Sequence, residues 1–186
     1  MFGVFLIVLG FLLTMPLSPL VPVFIIIGFV TYMFSEYLTH RFLFHIRTPK
    51  NPYLLKLIKR LHYDHHKMPN DLKLLFLPIW YSFPNLLLLC LIFYWASGSL
   101  LFTLSFSTGL LAMFFVYEWK HYIAHRPYKP KTRFGQWIKK THILHHYKNE
   151  NYWYGVSTPF VDLLFGTLKN EKDVQMSQTA KDLEQR

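Results

Sequence analysis

Leu74-LFLPIWYSFPNLLLLCLIFYWASGSLLFTLSFSTGLLAMFFV-Tyr117 is a run of 44 residues without one Asp, Glu, Lys, Arg or His. A helix crossing the hydrocarbon core needs about 20 predominantly apolar residues, so such a run is long enough for two passes. Ser97-Gly98-Ser99 near its middle supplies the reversal. Met1–Ser35 is a second charge-free run, 35 residues long, interrupted by Pro16, Pro19 and Pro22. Prolines break helices and suit a tight turn. The pattern predicts two helical hairpins, with spans near 2–17, 20–38, 79–96 and 100–118. The first span is short and is also compatible with a re-entrant or interfacial segment. A cleaved signal peptide fits less well, because Met1-Phe2-Gly3 places no basic residue ahead of the apolar stretch.

The composition agrees with these runs. Of the 186 residues 52% are hydrophobic and 16% charged, against roughly 25% charged in a soluble domain. Yet the chain carries 20 Lys and Arg against 10 Asp and Glu, a net charge of +10. All 20 cations fall outside the apolar runs, eight within 39–73 and twelve within 119–186. With four passes these polar segments share one side of the membrane, and the opposite side receives only two uncharged turns. The positive-inside rule then puts both on the cytoplasmic face. The basic excess reads as attraction to anionic headgroups. Nucleic acid is not an expected partner, since no recognition helix or free basic arm is present. A single cysteine, Cys90, lies in an apolar span and reads as a small core residue. One cysteine excludes a disulfide framework, a Cys-rich zinc site and an iron–sulfur cluster within one chain.

All ten histidines fall in four clusters outside the apolar runs: His40-x4-His45, His62-x2-His65-His66, His121-x3-His125 and His142-x2-His145-His146. The first and third clusters start 81 positions apart, the second and fourth 80, so the chain is a doubled unit of hairpin, short box and His-x2-His-His. On a helix, positions i, i+3 and i+4 share a face, which gathers His62, His65 and His66, and likewise His142, His145 and His146. His121 and His125 form an i, i+4 pair. His40 and His45 are five apart, about 140° around an ideal helix, so the helix is expected to widen or end there. Arg47-Thr48-Pro49 supplies the stop. Spans two and four run directly into the short boxes, which puts the expected site just outside the bilayer core. Neutral imidazole is a common ligand for zinc, iron, copper and nickel, and ten are enough for two metals at five each. A histidine-rich metal transporter is the rival reading from another class. It requires ionisable residues lining a path through the spans, and these spans hold essentially none.

In these boxes the chain resembles the fatty acid hydroxylase and sterol desaturase superfamily over roughly residues 36–168. The nearest likeness is to the fatty acid 2-hydroxylases, through Glu36-Tyr-Leu-Thr-His-Arg-Phe-Leu-Phe-His45 and through Gly155-Val-Ser-Thr-Pro159 with Asp162-x2-Phe-Gly-Thr167. Where those enzymes usually carry Tyr-Asp before the third box, this chain has Tyr117-Glu118. Carotenoid hydroxylases set their first two boxes closer together, and sterol enzymes tend to a shorter first box. A sterol or carotenoid hydroxylase or desaturase is the alternative within the superfamily.

The resemblance implies an all-α integral membrane fold: four transmembrane helices under a cytosolic helical cap, forming one hydroxylase domain over 1–175 with cytosolic segments 39–73 and 119–175. It implies two metal ions, iron for activity although zinc could occupy the site, held by His40, His45, His62, His65, His66, His121, His125, His142, His145 and His146. From the i, i+4 spacing, His62 and His66 are expected to serve one metal with His40 and His45. His142 and His146 would serve the other with His121 and His125. His65 and His145 point to a different edge of each helical face, which leaves an exchange between the metals open. The implied reaction is a monooxygenase step on a fatty acyl lipid, at the carbon next to the carbonyl. It draws on dioxygen and a separate electron donor, a b-type cytochrome or ferredoxin system, because the fused cytochrome domain of many eukaryotic members has no room here. The membrane is a bacterial inner membrane or the endoplasmic reticulum.

Around the ligands, Tyr117 is a candidate for substrate contact, and Glu118 and Glu36 for holding ligand or substrate. Asp162 is expected to tie down the cap through backbone hydrogen bonds. Tyr152-Trp153-Tyr154 is expected in an interfacial belt or a lid. The polar tail 176–186 is expected to fray.

Overall fold

The computed structural model describes residues 1–16 and 18–186. Among the described residues it contains helices and turns and no strand. The chain divides into two compact units, residues 1–33 with 77–116, and residues 34–76 with 117–186.

The first unit is built from the apolar runs. Helix α1 spans Phe2–Thr14. At 1.5 Å per residue its 13 residues reach about 20 Å, short of the roughly 30 Å hydrocarbon core, and Leu17, the last residue of the expected 2–17 span, lies outside the described residues. The segment expected near 20–38 forms α2, Val21–Thr39, which continues beyond this unit. Among the described residues three stretches, Val21–Phe44, Leu72–Ser97 and Leu100–Ala124, are long and apolar enough to cross a membrane. Of these, Leu100–Ala124 is 61% buried inside the protein against 22% for the others, so it is the central helix.

The reason for that centrality is small residues. A Cβ at Gly28 would strike the carbonyl oxygen of Phe106, and one at Gly109 would strike that of Ile25, so two backbones touch where glycine leaves room. Phe24 stacks on Phe102 at 4.3 Å between ring centroids and Phe93 on Phe106 at 4.2 Å. Thr103, Ser105 and Thr108 return their hydroxyls to carbonyls four residues back, satisfying polar groups within the helix itself. The expected reversal at Ser97-Gly98-Ser99 is present, with Gly98 at φ +61° closing the preceding helix in the left-handed region that glycine enters at little cost.

In the second unit the end of α2 widens into a π turn over His40–Phe44 and stops at His45. An i→i+5 turn brings residues five apart onto nearly one face, which resolves the awkward spacing of His40 and His45. After a proline-rich link come α3 (Pro52–Ile58), capped by the Asn51 side chain with Pro52 at its first position, a second π turn (Lys59–Tyr63), α4 (Asp64–Lys67) and α5 (Leu72–Leu75). Helix α6 (Ile79–Ser97) belongs to the first unit, and α7 (Leu100–Ala124) carries its last turns into the second. Helix α8 (Arg133–Tyr147), capped by Thr132, and the short α9 (Phe160–Leu164) complete the set.

The tail does not fray. Leu183 is fully buried against Ile58 and Tyr63, with Ile46 and Leu55 packed around them. A polar segment with no apolar periodicity is held by one leucine and a set of ion pairs, which periodicity does not register.

Candidate metal centre

The second unit gathers all ten histidines, each at most 9% exposed. They form two groups of five, His40, His45, His62, His66 and His145 in one, and His65, His121, His125, His142 and His146 in the other. Within a group, one ring nitrogen of every residue lies within 4.8 Å of the others. The middle histidines cross over: His145, from the second repeat, sits with the first-half residues, and His65 with the second-half ones. In both repeats the i, i+4 pair stays in one group and the middle histidine joins the other, although the first box runs from the second π turn into α4 and the second lies wholly on α8.

In the first group the Nε2 atoms converge. His62 Nε2 lies 3.0 Å from that of His40, 2.9 Å from that of His45 and 3.0 Å from that of His66, and His145 Nε2 lies 3.1 Å from that of His45. The outer nitrogens of three of these rings face backbone carbonyls: His40 Nδ1 meets Tyr154 O at 2.5 Å, His66 Nδ1 meets Ala180 O at 2.7 Å and His145 Nδ1 meets Tyr152 O at 2.8 Å. A carbonyl only accepts, so each Nδ1 must carry the proton and each Nε2 is a bare lone pair. Nitrogens gathered this closely could hold a metal ion between them. In the second group His121 Nε2 lies 2.9 Å from His65 Nε2, and His125 Nε2 lies 2.8 Å from His142 Nε2. His146 has no protein partner for either nitrogen. The donor set fits two borderline cations bound by imidazole.

The protonation states agree. Burial, reinforced by neighbouring imidazoles, holds His45, His62, His65, His142, His145 and His146 well below the usual histidine range. Burial brings His66 to about 3, and burial with the nearby Lys139 and Arg126 charges brings His125 to about 4. These rings are neutral at pH 7, the form that binds metal.

The matching family model, fatty acid hydroxylase, covers residues 25–167. The chain belongs to the fatty acid hydroxylase family. It is 34% identical over 155 residues to the ceramide very long chain fatty acid hydroxylase scs7 of Schizosaccharomyces pombe, covering 77% of this chain and 42% of that protein. It is 32% identical over 163 residues to the fatty acid 2-hydroxylase of Mus musculus, covering 85% and 42%. The chain thus spans under half the length of these curated relatives. A solved structure titled full-length scs7p, with only the hydroxylase domain visible, superposes with a TM-score of 0.79 at 29% identity, covering 95% of this chain and 66% of that one.

Residues around the histidines explain how the hydroxylase fold sets them. Asp162 is fully buried, and its carboxylate accepts from Tyr154 N and Gly155 N, both at 2.8 Å, and from Thr167 Oγ1 at 2.7 Å. It makes the expected backbone hydrogen bonds, and the backbone it holds is the one that offers the Tyr154 carbonyl to His40. Glu36 does the same from the helix side, its Oε1 accepting from Val156 N at 2.6 Å and Ser157 N at 3.0 Å. Tyr152-Trp153-Tyr154 is neither belt nor lid. Trp153 and Tyr154 are buried, and Trp153 adopts φ +58°, a left-handed conformation rare for a bulky residue. Trp153 N donates to Thr167 O and its Nε1 to Lys169 O, which hold that turn. The carbonyls on either side of it both face histidines. Tyr117 places its ring 5.6 Å from that of His121, and Glu118 is buried beside it. Asp64 lies 3.8 Å from Lys59 and is part-exposed, an ordinary surface pair.

Sequence reasoning missed the carbonyls of Tyr152, Tyr154 and Ala180, because a backbone acceptor leaves no residue-type signal. It also missed Glu150, a buried acid whose Oε1 accepts from Thr179.

Proposed function

We propose that this chain hydroxylates a fatty acyl lipid at the 2-position, using dioxygen and electrons from a separate b-type cytochrome or ferredoxin-type donor. The observation that carries the reading is the double convergence of buried imidazole nitrogens in a member of a family whose curated relatives are named for 2-hydroxylation of fatty acids. His40, His45, His62, His66 and His145 would hold one metal, and His65, His121, His125, His142 and His146 the other. Iron is the ion for activity, although zinc would satisfy the same nitrogens. Iron there supplies the redox chemistry by which one oxygen atom of dioxygen enters an unactivated C–H bond.

The chain's own residues do the rest. Burial keeps the imidazoles neutral and keeps water from the reacting carbon. The carbonyls of Tyr152, Tyr154 and Ala180 fix three tautomers, and Asp162 and Glu36 hold the loop that carries two of them. Tyr117 and Glu118, next to the third box, orient the acyl carbonyl so that the neighbouring carbon faces the site.

The four apolar segments enter the membrane as two hairpins, three of them crossing it and α1 lying shallow. The basic segments 39–73 and 119–175 then form a cap on the cytoplasmic face of a bacterial inner membrane or the endoplasmic reticulum.

The test is lipid mass spectrometry of membranes from cells expressing the chain, beside His65→Ala and His145→Ala variants. New 2-hydroxy acyl chains that vanish in both variants support the proposal. Acyl chains that stay unmodified while cellular metal content changes would overturn it.

A further inference from the structure

The two histidine groups are treated differently by the chain around them. Three of the five rings in the first group are gripped from outside, by the carbonyls of Tyr152, Tyr154 and Ala180, and the backbone of a fourth is held by Arg186, whose Nη1 donates to His45 O at 3.0 Å. Arg186 Nη1 also lies 3.3 Å from His45 Nδ1. That ring contact lapses when Nδ1 carries the proton, so the carbonyl is the partner that counts. In the second group the outer Nδ1 atoms of His65, His142 and His146 are buried with no protein partner.

Two of the four outer contacts in the first group come from the last ten residues. This segment is fastened along its length. Ser177 N donates to Lys148 O at 2.8 Å, and Thr179 Oγ1 donates to Glu150 Oε1 at 2.5 Å. Leu183 is buried, Thr48 Oγ1 donates to Glu184 O at 2.9 Å, and Glu184 Oε1 pairs with Lys59 and Lys67, each at 2.6 Å. Arg186 Nη2 reaches Asn151 Oδ1 at 2.7 Å. The ion pairs are part-exposed and set register more than strength. The buried leucine carries the docking.

We propose that residues 177–186 are a brace for the first metal position alone, with Ala180 and Arg186 as its positioning residues: the Ala180 carbonyl fixes the His66 tautomer, and Arg186 pins the backbone of His45. This rests on the reading of the histidines as metal ligands. Outer hydrogen bonds to ligand histidines typically change metal affinity by about 10–100-fold. A brace acting on one group changes one affinity, whereas general loosening of the fold changes both.

The experiment isolates each position in detergent-purified protein loaded with zinc alone, and measures release to a chelator by elemental analysis. In a His142→Ala, His146→Ala background the retained zinc reports the first position, and a stop codon after Met176 should release it at about 10–100-fold lower chelator. In a His62→Ala, His66→Ala background the same truncation should leave release unchanged. In the full-length chain, Arg186→Ala should weaken only the first position and Arg186→Lys should restore part of the loss, which serves if the truncated chain aggregates. Loaded with cobalt(II), the first background should change its visible bands on truncation and the second should not. Equal shifts in both backgrounds, or none in either, overturn the brace while leaving the metal reading intact. A full-length chain that binds no zinc overturns the metal reading, and the brace with it.

Discussion

Asp162→Asn replaces one carboxylate oxygen by an amide nitrogen and changes almost no volume. The carboxylate accepts three hydrogen bonds through two oxygens, Tyr154 N and Thr167 Oγ1 on Oδ1 and Gly155 N on Oδ2. Either orientation of the amide sets a donor against at least one of these donors. A hydrogen bond to a charged group is worth about 1.5–3 kcal/mol, and a buried donor left unsatisfied costs about 1–3 kcal/mol. A loss of about 3 kcal/mol follows, or roughly 6–12 °C in Tm for a chain of this size. The Tyr154 carbonyl moves with its own N–H, so the loss reaches His40 Nδ1, and zinc at the first position should be held about 10–100-fold less tightly. Thermal unfolding in detergent and chelator competition measure the two effects. An Asn variant that melts within about 1 °C of the parent and releases zinc at the same chelator concentration would refute the reasoning from carboxylate to loop to ligand.

Other substitutions test other parts of the account. Gly28→Ala and Gly109→Ala should each destabilise by about 1–3 kcal/mol, because the new methyl meets a backbone carbonyl, whereas Gly3→Ala and Gly10→Ala, with open space at the Cβ, should be neutral or slightly stabilising in thermal unfolding. Metal-free protein should lose stability on acidification. With His66 at about 3 and His125 at about 4 when folded, and near 6.5 unfolded, the unfolded chain binds more protons between those values. Stability is therefore full above pH 6.5 and falls below it by up to about 1.4 kcal/mol per pH unit per ring, and a flat profile from pH 7.5 to 5 would contradict this. Glu36→Gln keeps one acceptor for Val156 N and Ser157 N, so unfolding should show a smaller loss than Asp162→Asn, about 1–2 kcal/mol.

The membrane helices were legible because absence of charge over tens of residues has one physical meaning. Their count was less so: Phe2–Thr14 is apolar throughout yet shorter than the expected span. The histidine grouping could be read from spacing as far as helical geometry carries it, and the five-residue gap from His40 to His45 signalled the π turn. The spacing left the placement of His65 and His145 open, and each lies with the histidines of the other repeat. Asp162 stood out through its motif. The tail did not, since one buried leucine and an arginine on a carbonyl leave no pattern in a polar stretch. Tyr152-Trp153-Tyr154 misled because aromatic residues advertise an interface, while here the carbonyls of Tyr152 and Tyr154 face histidines.

The central claim, insertion of an oxygen atom next to an acyl carbonyl, is tested most directly by supplying the reduced, iron-loaded enzyme in membranes with ¹⁸O-labelled dioxygen and an acyl lipid, then locating the label by mass spectrometry. One ¹⁸O atom should appear in a hydroxyl on carbon 2 and be absent from the His65→Ala and His145→Ala variants. Label at another carbon, a new double bond without label, or a hydroxyl oxygen drawn from water would contradict it.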